Sequence, residues 1–180
     1  MNKAIFLDRD GVLNIDKGYV YKWESFQLIE GTIEALKRIQ ILNFKIIIIT
    51  NQSGIARGYY TESDYKSLTK TFINYLNLKN IYIDGIYHCP HHPFFSKGEN
   101  SHCNCRKPKP GLFLKAAKEN NINISESIAI GDKHTDLIAA KEAGIKKRYL
   151  IKKNNNQNDR KDKLFLASFD ILLECVKSLS

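Results

Sequence analysis

At 180 residues the chain suits one ordinary hydrophobic core, given roughly 150 residues per domain. No apolar run approaches the ~20 residues needed to cross a bilayer, and the start enters an apolar run with no signal-peptide pattern. A soluble, cytoplasmic protein without a membrane partner is expected. Lys and Arg number 28 against 19 Asp and Glu, a formal charge of +9, which suits nucleic acid, an anionic surface or an acidic small substrate and selects none of them. The excess gathers in 97–115 and 146–163, the second read as a solvated face.

The first strand is expected over Ala4–Leu7, a compact apolar run of the length of a buried parallel strand. It stops at Asp8-Arg9-Asp10-Gly11. Side chains alternate along a strand, so two carboxylates two residues apart point the same way, and Gly11 permits a sharp exit. Ligand sites of open α/β sheets lie outside the carboxyl ends of their strands. Paired carboxylates there can hold Mg²⁺, or divide the work of nucleophile and general acid/base. A polar, aromatic loop covers 15–26. Helix 31–43 follows, with Ile33, Leu36, Ile39 and Leu42 at helical spacing. A β-branched run over 44–49 ends in Thr50-Asn51-Gln52-Ser53-Gly54, where a hydroxyl and turn N–H groups suit phosphate oxygens. Helix 62–78 starts from a cap near Thr61 and carries Tyr65, Leu68, Phe72 and Leu76 on one face.

Residues 81–87 read as a third strand, interrupted by Gly85. From His88 to Pro110 there is no periodicity, but Cys89-Pro90-His91 and Cys103-Asn104-Cys105 form two clips of ligands that suit a tetrahedral, structural Zn²⁺. His92 and His102 are alternative ligands in principle. A metal would give the loop at about 88–110 a reason to fold, and would position Arg106 and Lys107 directly downstream. In Arg106-Lys107-Pro108-Lys109-Pro110-Gly111 the prolines stiffen a cationic backbone, suited to the charge on a phosphoryl group in flight. Helix 111–121 comes next, then a short strand at 127–130 that ends in Gly131-Asp132. Helix 135–143, closed by Gly144, and a strand at 148–151 follow. Asp132 offers a third carboxylate for Mg²⁺, and an N-cap role competes for both Asp132 and Asp136. Residues 152–163 are expected to be polar and mobile. The stretch 164–166 and helix 169–179, with Cys175 as a small core residue, finish the chain. Alternating strands and helices predict a single α/β domain over 1–180 with a mainly parallel sheet.

Asp8-Arg9-Asp10-Gly11-Val12-Leu13-Asn14 resembles the first motif of the haloacid dehalogenase (HAD) superfamily of phosphotransferases. Thr50, Lys107 and Gly131-Asp132 follow in the superfamily's order, so the resemblance covers residues 3–151. It implies a Rossmann-like three-layer fold and a phosphoric monoester hydrolase. By that match Asp8 is the nucleophile, forming an aspartyl-phosphate, and Asp10 protonates the leaving oxygen and then activates water. Thr50 and Lys107 would steady the phosphoryl group, Lys107 rather than Lys109 because it lies in the matching Arg-Lys-Pro string. Asp8, Asp132 and the backbone carbonyl of Asp10 would hold Mg²⁺.

The loop with Cys89, His91, Cys103 and Cys105 as zinc ligands, together with Gly18-Tyr19-Val20, the string from Thr50 to Gly58 and Gly131-Asp132-Lys133, is similar to the D-glycero-D-manno-heptose 1,7-bisphosphate phosphatases. That likeness implies removal of the 7-phosphate in heptose and lipopolysaccharide precursor synthesis. It also implies substrate contacts from Asp16, Lys17, Gly18 and Tyr19, from Asn51, Gln52 and Ser53, and from Arg106 and Lys133. Histidinol-phosphate phosphatases carry a related zinc loop and are the alternative. One loop and one helix use up the residues between the first two strands, so no large cap domain is expected, and short loops rather than a lid would choose the substrate. A zinc-containing nucleic-acid module is remote, because no helix-turn-helix or finger pattern presents bases with aromatic and basic side chains. The expected partner is a small phosphorylated sugar, bound by a monomer.

Overall fold

The computed structural model describes residues 1–152 and 163–179. The stretch expected to be mobile lies outside these residues, apart from Lys152 and Lys163. Six strands form one parallel sheet: β1 (Ala4–Leu7), β2 (Lys45–Asn51), β3 (Gly85–Cys89), β4 (Ile128–Gly131), β5 (Lys147–Ile151) and β6 (Ala167–Phe169). Their order is β3-β2-β1-β4-β5-β6. The chain builds outward from β1 to β3 and then returns to lay β4 on the other side of β1. The β1/β4 seam is therefore the point where strand order reverses, which is where open α/β sheets bind ligands.

Among the described residues, five helices cover the two faces. Alternation along β1 sends Ile5 and Leu7 to one side and Ala4 and Phe6 to the other. The first side packs with Ile46 and Ile48 against α1 (Thr32–Ile41), α2 (Glu62–Asn77) and α5 (Leu172–Lys177), through Leu36, Ile39, Leu68, Phe72, Leu76 and Val176. The second packs with Ile47 and Ile49 against α3 (Gly111–Glu119) and α4 (His134–Glu142), through Phe113, Ala116, Ala139 and Ala140. The small residues of α3 and α4 allow those helices to lie close to the strands. Helix α2 starts in a reciprocal cap, with Thr61 Oγ1 accepting from Asp64 N at 3.1 Å and Asp64 Oδ2 accepting from Thr61 N at 2.8 Å. Its buried face is Tyr65, Leu68, Phe72 and Leu76, as the spacing predicts. Between β1 and α1 there is a loop with one short 3₁₀ turn, Trp23–Ser25, and among the described residues no cap domain is inserted. No helix among them is long and apolar enough to cross a membrane.

Two elements differ from expectation. The third strand begins at Gly85, not Ile81, and runs on through His88 to Cys89. Ile81 is fully buried, so the apolar signal there is real. Sheet pairing waits, however, because Asp84 caps the edge of β2, its carboxylate accepting from Ile46 N at 2.9 Å. At the C-terminus the expected helix 169–179 starts only at Leu172, and the residues before it form β6, paired in parallel with β5. Pairing to an open sheet edge outweighs helix propensity over that short stretch.

Candidate active site

The polar ends of β1, β2 and β4 converge as the parallel register requires. Leu7 is level with Ile48 and with Ile130, and Asp8 N donates to Ile130 O at 3.1 Å. Gly11 then turns the chain at a φ of +92°, and a Cβ there would lie 2.3 Å from Asp132 Oδ2, so only glycine lets the first motif close over the carboxylate that follows β4. Lys107 enters from the opposite side. Its Nζ is 3.0 Å from Asp8 Oδ1 and 2.7 Å from Asp136 Oδ1, and donates to Ile49 O at 2.9 Å. The residue is 3% exposed. Lys109, by contrast, is exposed and donates to His102 O. Asn51 locks the lysine's backbone to β2, donating to Lys107 O and accepting from Lys107 N, both at 3.1 Å.

The electrostatics are those of crowded carboxylates around one ammonium. Burial pushes the Asp8 carboxyl up to about 8; Lys107 opposes this, and Asp136, Asp132 and Asp10 add to it. Burial and Asp136 raise Asp132 to about 6. Burial disfavours the charge on Lys107, yet Asp136 and Asp8 hold it above the usual lysine value. Oxygens of Asp8, Asp132 and Asp136 lie within 4.8 Å of one another, and Asp132 Oδ1 is buried without a hydrogen-bond partner. An oxygen donor set with one unsatisfied member fits a hard dication such as Mg²⁺. The Asp10 side chain is outside this group. It accepts from Arg9 Nη2 at 2.8 Å, Arg9 Nε at 3.1 Å, Asn14 Nδ2 at 2.9 Å and Gln52 Nε2 at 3.1 Å.

A cavity of ≈ 390 Å³ opens above these groups. Its lining includes Asp8, Asp10, Thr50 and Lys107, together with Asp16, Gly18, Tyr19, Asn51, Gln52, Ser53, Arg106 and Lys133. Lys17 does not line it. Asp16 Oδ1 accepts from Gly18 N at 2.9 Å, and the tip of that turn carries Lys17 into solvent. At the rim Lys133 Nζ pairs with Asp16 Oδ2 at 3.1 Å, which with Asp132 holds the ammonium above its usual value despite partial burial. Arg106 donates to His91 O at 3.1 Å.

Four site residues were not found by pattern, among them Thr135, which lines the cavity. Asp136 reads as a helix cap, and it is one, accepting from Lys133 N at 3.0 Å through Oδ2 while Oδ1 pairs with Lys107. Arg9 lies inside the first motif and buries its guanidinium behind Asp10. Tyr60 lines the cavity from a turn with no periodic signal. Only the closeness of Asp132 and Asp136 in the chain, two carboxylates astride the start of α4, could have pointed to Asp136.

At the end of β3 and in the loop that follows it, Cys89, His91, Cys103 and Cys105 bring their donor atoms within 4.8 Å of one another. Cys105 Sγ is 2.9 Å from Cys89 Sγ, 3.3 Å from Cys103 Sγ and 3.4 Å from His91 Nδ1. All four cysteines of the chain are free thiols. Burial pushes the Cys89 and Cys105 thiols up; it acts likewise on Cys103, but hydrogen bonds from Cys105, His91, Arg106 N–H and Cys89 bring that thiol down to about 7. Three sulfurs and an imidazole in this cluster fit tetrahedral Zn²⁺. The two alternative histidines are elsewhere: His92 contacts Arg57 and packs on Phe95, and His102 is exposed.

A sheet reversed at β1/β4, with an acidic pair after β1, a hydroxyl after β2, a buried lysine and a further carboxylate after β4, defines a class of enzyme. The profile of that class, the haloacid dehalogenase-like hydrolases, matches residues 7–144, and the chain belongs to this family. Within it, the chain is 50% identical over 153 residues to the D-glycero-beta-D-manno-heptose-1,7-bisphosphate 7-phosphatase of Pasteurella multocida, covering 84% of this chain and 83% of that protein. It is 47% identical over 154 residues to the same-named enzyme of Helicobacter pylori strain 26695, covering 85% and 86%. Among solved structures, the D,D-heptose 1,7-bisphosphate phosphatase of B. bronchiseptica, complexed with magnesium and phosphate, superposes with a TM-score of 0.83 at 27% identity, over 98% of this chain and 97% of that one.

Proposed function

We propose that the protein is a Mg²⁺-dependent phosphatase that removes the 7-phosphate of D-glycero-D-manno-heptose 1,7-bisphosphate in heptose precursor synthesis. The observation that carries this reading is the Lys107 ammonium between Asp8 and Asp136 at the base of a cavity whose rim bears two more cations, Arg106 and Lys133. A buried cation next to a nucleophile suits the phosphoryl group in transfer, and a cationic rim suits a second phosphate on the same substrate. Histidinol phosphate carries an ammonium where the bisphosphate carries that second phosphate, so the rim charge favours the bisphosphate. The names of the curated relatives point to the β anomer.

In the mechanism we assign, an Asp8 carboxylate oxygen attacks phosphorus as the bond from phosphorus to the sugar oxygen breaks, and Asp10 gives its proton to that oxygen. Water then attacks the aspartyl-phosphate, Asp10 takes its proton, and the P–O bond to Asp8 breaks to release phosphate and the free carboxylate. Thr50 donates to a phosphoryl oxygen and Lys107 balances its charge. Mg²⁺, held by Asp8, Asp132 and the Asp10 carbonyl, would supply charge neutralisation on the phosphoryl oxygens. Asp136 holds Lys107. Cys89, His91, Cys103 and Cys105 would hold a structural Zn²⁺, which would order the loop leading into Arg106 and Lys107.

The test is phosphate release with Mg²⁺ from both anomers of heptose 1,7-bisphosphate and from histidinol phosphate, side by side. A marked preference for the β-bisphosphate, with heptose 1-phosphate as product, is expected. A preference for histidinol phosphate would overturn the substrate assignment and leave the reaction class standing.

A further inference from the structure

Gln52 lines the cavity, yet its amide is wholly engaged with the protein. Oε1 accepts from Tyr60 Oη at 2.6 Å and from Arg9 Nη2 at 3.3 Å, and Nε2 donates to Thr50 Oγ1 at 2.8 Å and to Asp10 Oδ2 at 3.1 Å. The ends of the amide cannot be exchanged, because a guanidinium only donates and so must face the amide oxygen. With the amide so oriented, Tyr60 must donate and Thr50 must accept. The Thr50 proton is then directed to the cavity that Thr50 lines. Burial pushes the Tyr60 phenol up to about 12, so it keeps the proton it gives.

Tyr60 is itself held in place. Its ring stacks on Tyr21, with centroids 5.1 Å apart and planes 11° from parallel. Gly54 makes room for it, since a Cβ there would lie 2.1 Å from Tyr60 Cε1. We infer that Tyr60 is a positioning residue: through Gln52 it aims the Thr50 hydroxyl at the phosphoryl group and sets the Asp10 carboxyl against the leaving oxygen. The inference rests on the roles assigned above to Thr50 and Asp10.

A displaced acid matters when the leaving group is a sugar alkoxide and hardly at all when it is p-nitrophenolate, which departs without a proton. Turnover of heptose 1,7-bisphosphate and of p-nitrophenyl phosphate is therefore compared in Tyr60→Phe, Gly54→Ala and Asp10→Asn, all with Mg²⁺. Losing one hydrogen bond of this network should lower kcat for the bisphosphate about tenfold in Tyr60→Phe, with KM within about twofold. The loss on p-nitrophenyl phosphate should stay within about threefold, and Gly54→Ala, which moves the ring but keeps the phenol, should follow the same pattern. In kcat/KM, which stops at departure of the alcohol, equal losses on both substrates in Tyr60→Phe while Asp10→Asn discriminates would overturn the Asp10 arm, and losses within about twofold on both would overturn the relay as a whole. Failure of Asp10→Asn to discriminate in kcat/KM, which excludes the later work of Asp10 as base, would instead overturn the acid assignment, and the Asp10 arm of the relay with it.

Discussion

Replacing Lys107 with Met keeps length and apolar bulk but removes the ammonium between Asp8 and Asp136. At 3.0 and 2.7 Å, each contact carries a gross attraction of roughly 5–6 kcal/mol at an effective dielectric of about 20. Much of that is offset by the cost of burying the ammonium, and deleting one member of a buried ionic group costs roughly 3–5 kcal/mol. In a protein of this size that is a fall in Tm of roughly 6–20 °C. The loss should depend on pH. The folded-state pKa of Asp8 is about 8, raised from 3.8, so the stability linked to it is fully present below the unfolded value and is lost as pH rises through about 8. Lys107 opposes that shift, so without it Asp8 stays protonated to still higher pH. Near pH 6 both proteins hold that proton; near pH 9 wild type has given it up, while the variant still binds it at a cost that grows with pH. Thermal unfolding of zinc-replete, Mg²⁺-free protein should show the gap from wild type widening between those two values, with phosphatase activity lost at both. A gap that is flat across this range, or a Tm within about 2 °C of wild type at pH 9, would refute the ionic account of the site.

Asp8→Asn should fold and release no phosphate, because an amide is a poor nucleophile; normal turnover would remove Asp8 from the mechanism. Gly11→Ala places a methyl carbon against Asp132 at a φ of +92°, so the Mg²⁺ concentration for half-maximal activity should rise at least about tenfold, read by metal titration, on top of about 1–2 kcal/mol of backbone strain. Cys105→Ser should lose bound zinc by elemental analysis and lower kcat as the Arg106–Lys107 segment loosens. Retention of one zinc per chain with full activity would exclude Cys105 from the cluster.

The sheet could be read from the chain because its strands are buried on both faces and so appear as unbroken apolar runs: Ala4–Leu7, residues 46–49 and residues 128–130. Residues 81–83 carry the same signal, but there burial and strand pairing part company, since Asp84 occupies the β2 hydrogen-bonding edge that pairing would use. β6 was missed because three residues hold no period, and a partner strand supplied what the local pattern lacked. In the site, residues whose chemistry follows from type and motif were legible: Asp8, Thr50, Lys107 and Asp132. Asp136 was not, because one carboxylate serves as helix cap and counter-ion, and only the first duty leaves a local trace. Tyr60 depends on the space left by Gly54 and on an amide eight residues earlier in the chain, and neither relation has a period.

The pairing of Asn51 with Cys89 across β2 and β3, and the Asn51 bonds to the Lys107 backbone, fasten the cysteine loop at both ends to the strand that carries Thr50. Between these anchors the tip from Pro93 to Ser101 hangs free of the sheet, with Phe94 and Phe95 exposed. Mutational drift in that tip can therefore proceed while Lys107 and the cavity, which no residue of the tip lines, stay where they are. A lineage can vary the outer surface of the cysteine loop, exposed aromatic rings included, with the hydrolytic apparatus inherited intact.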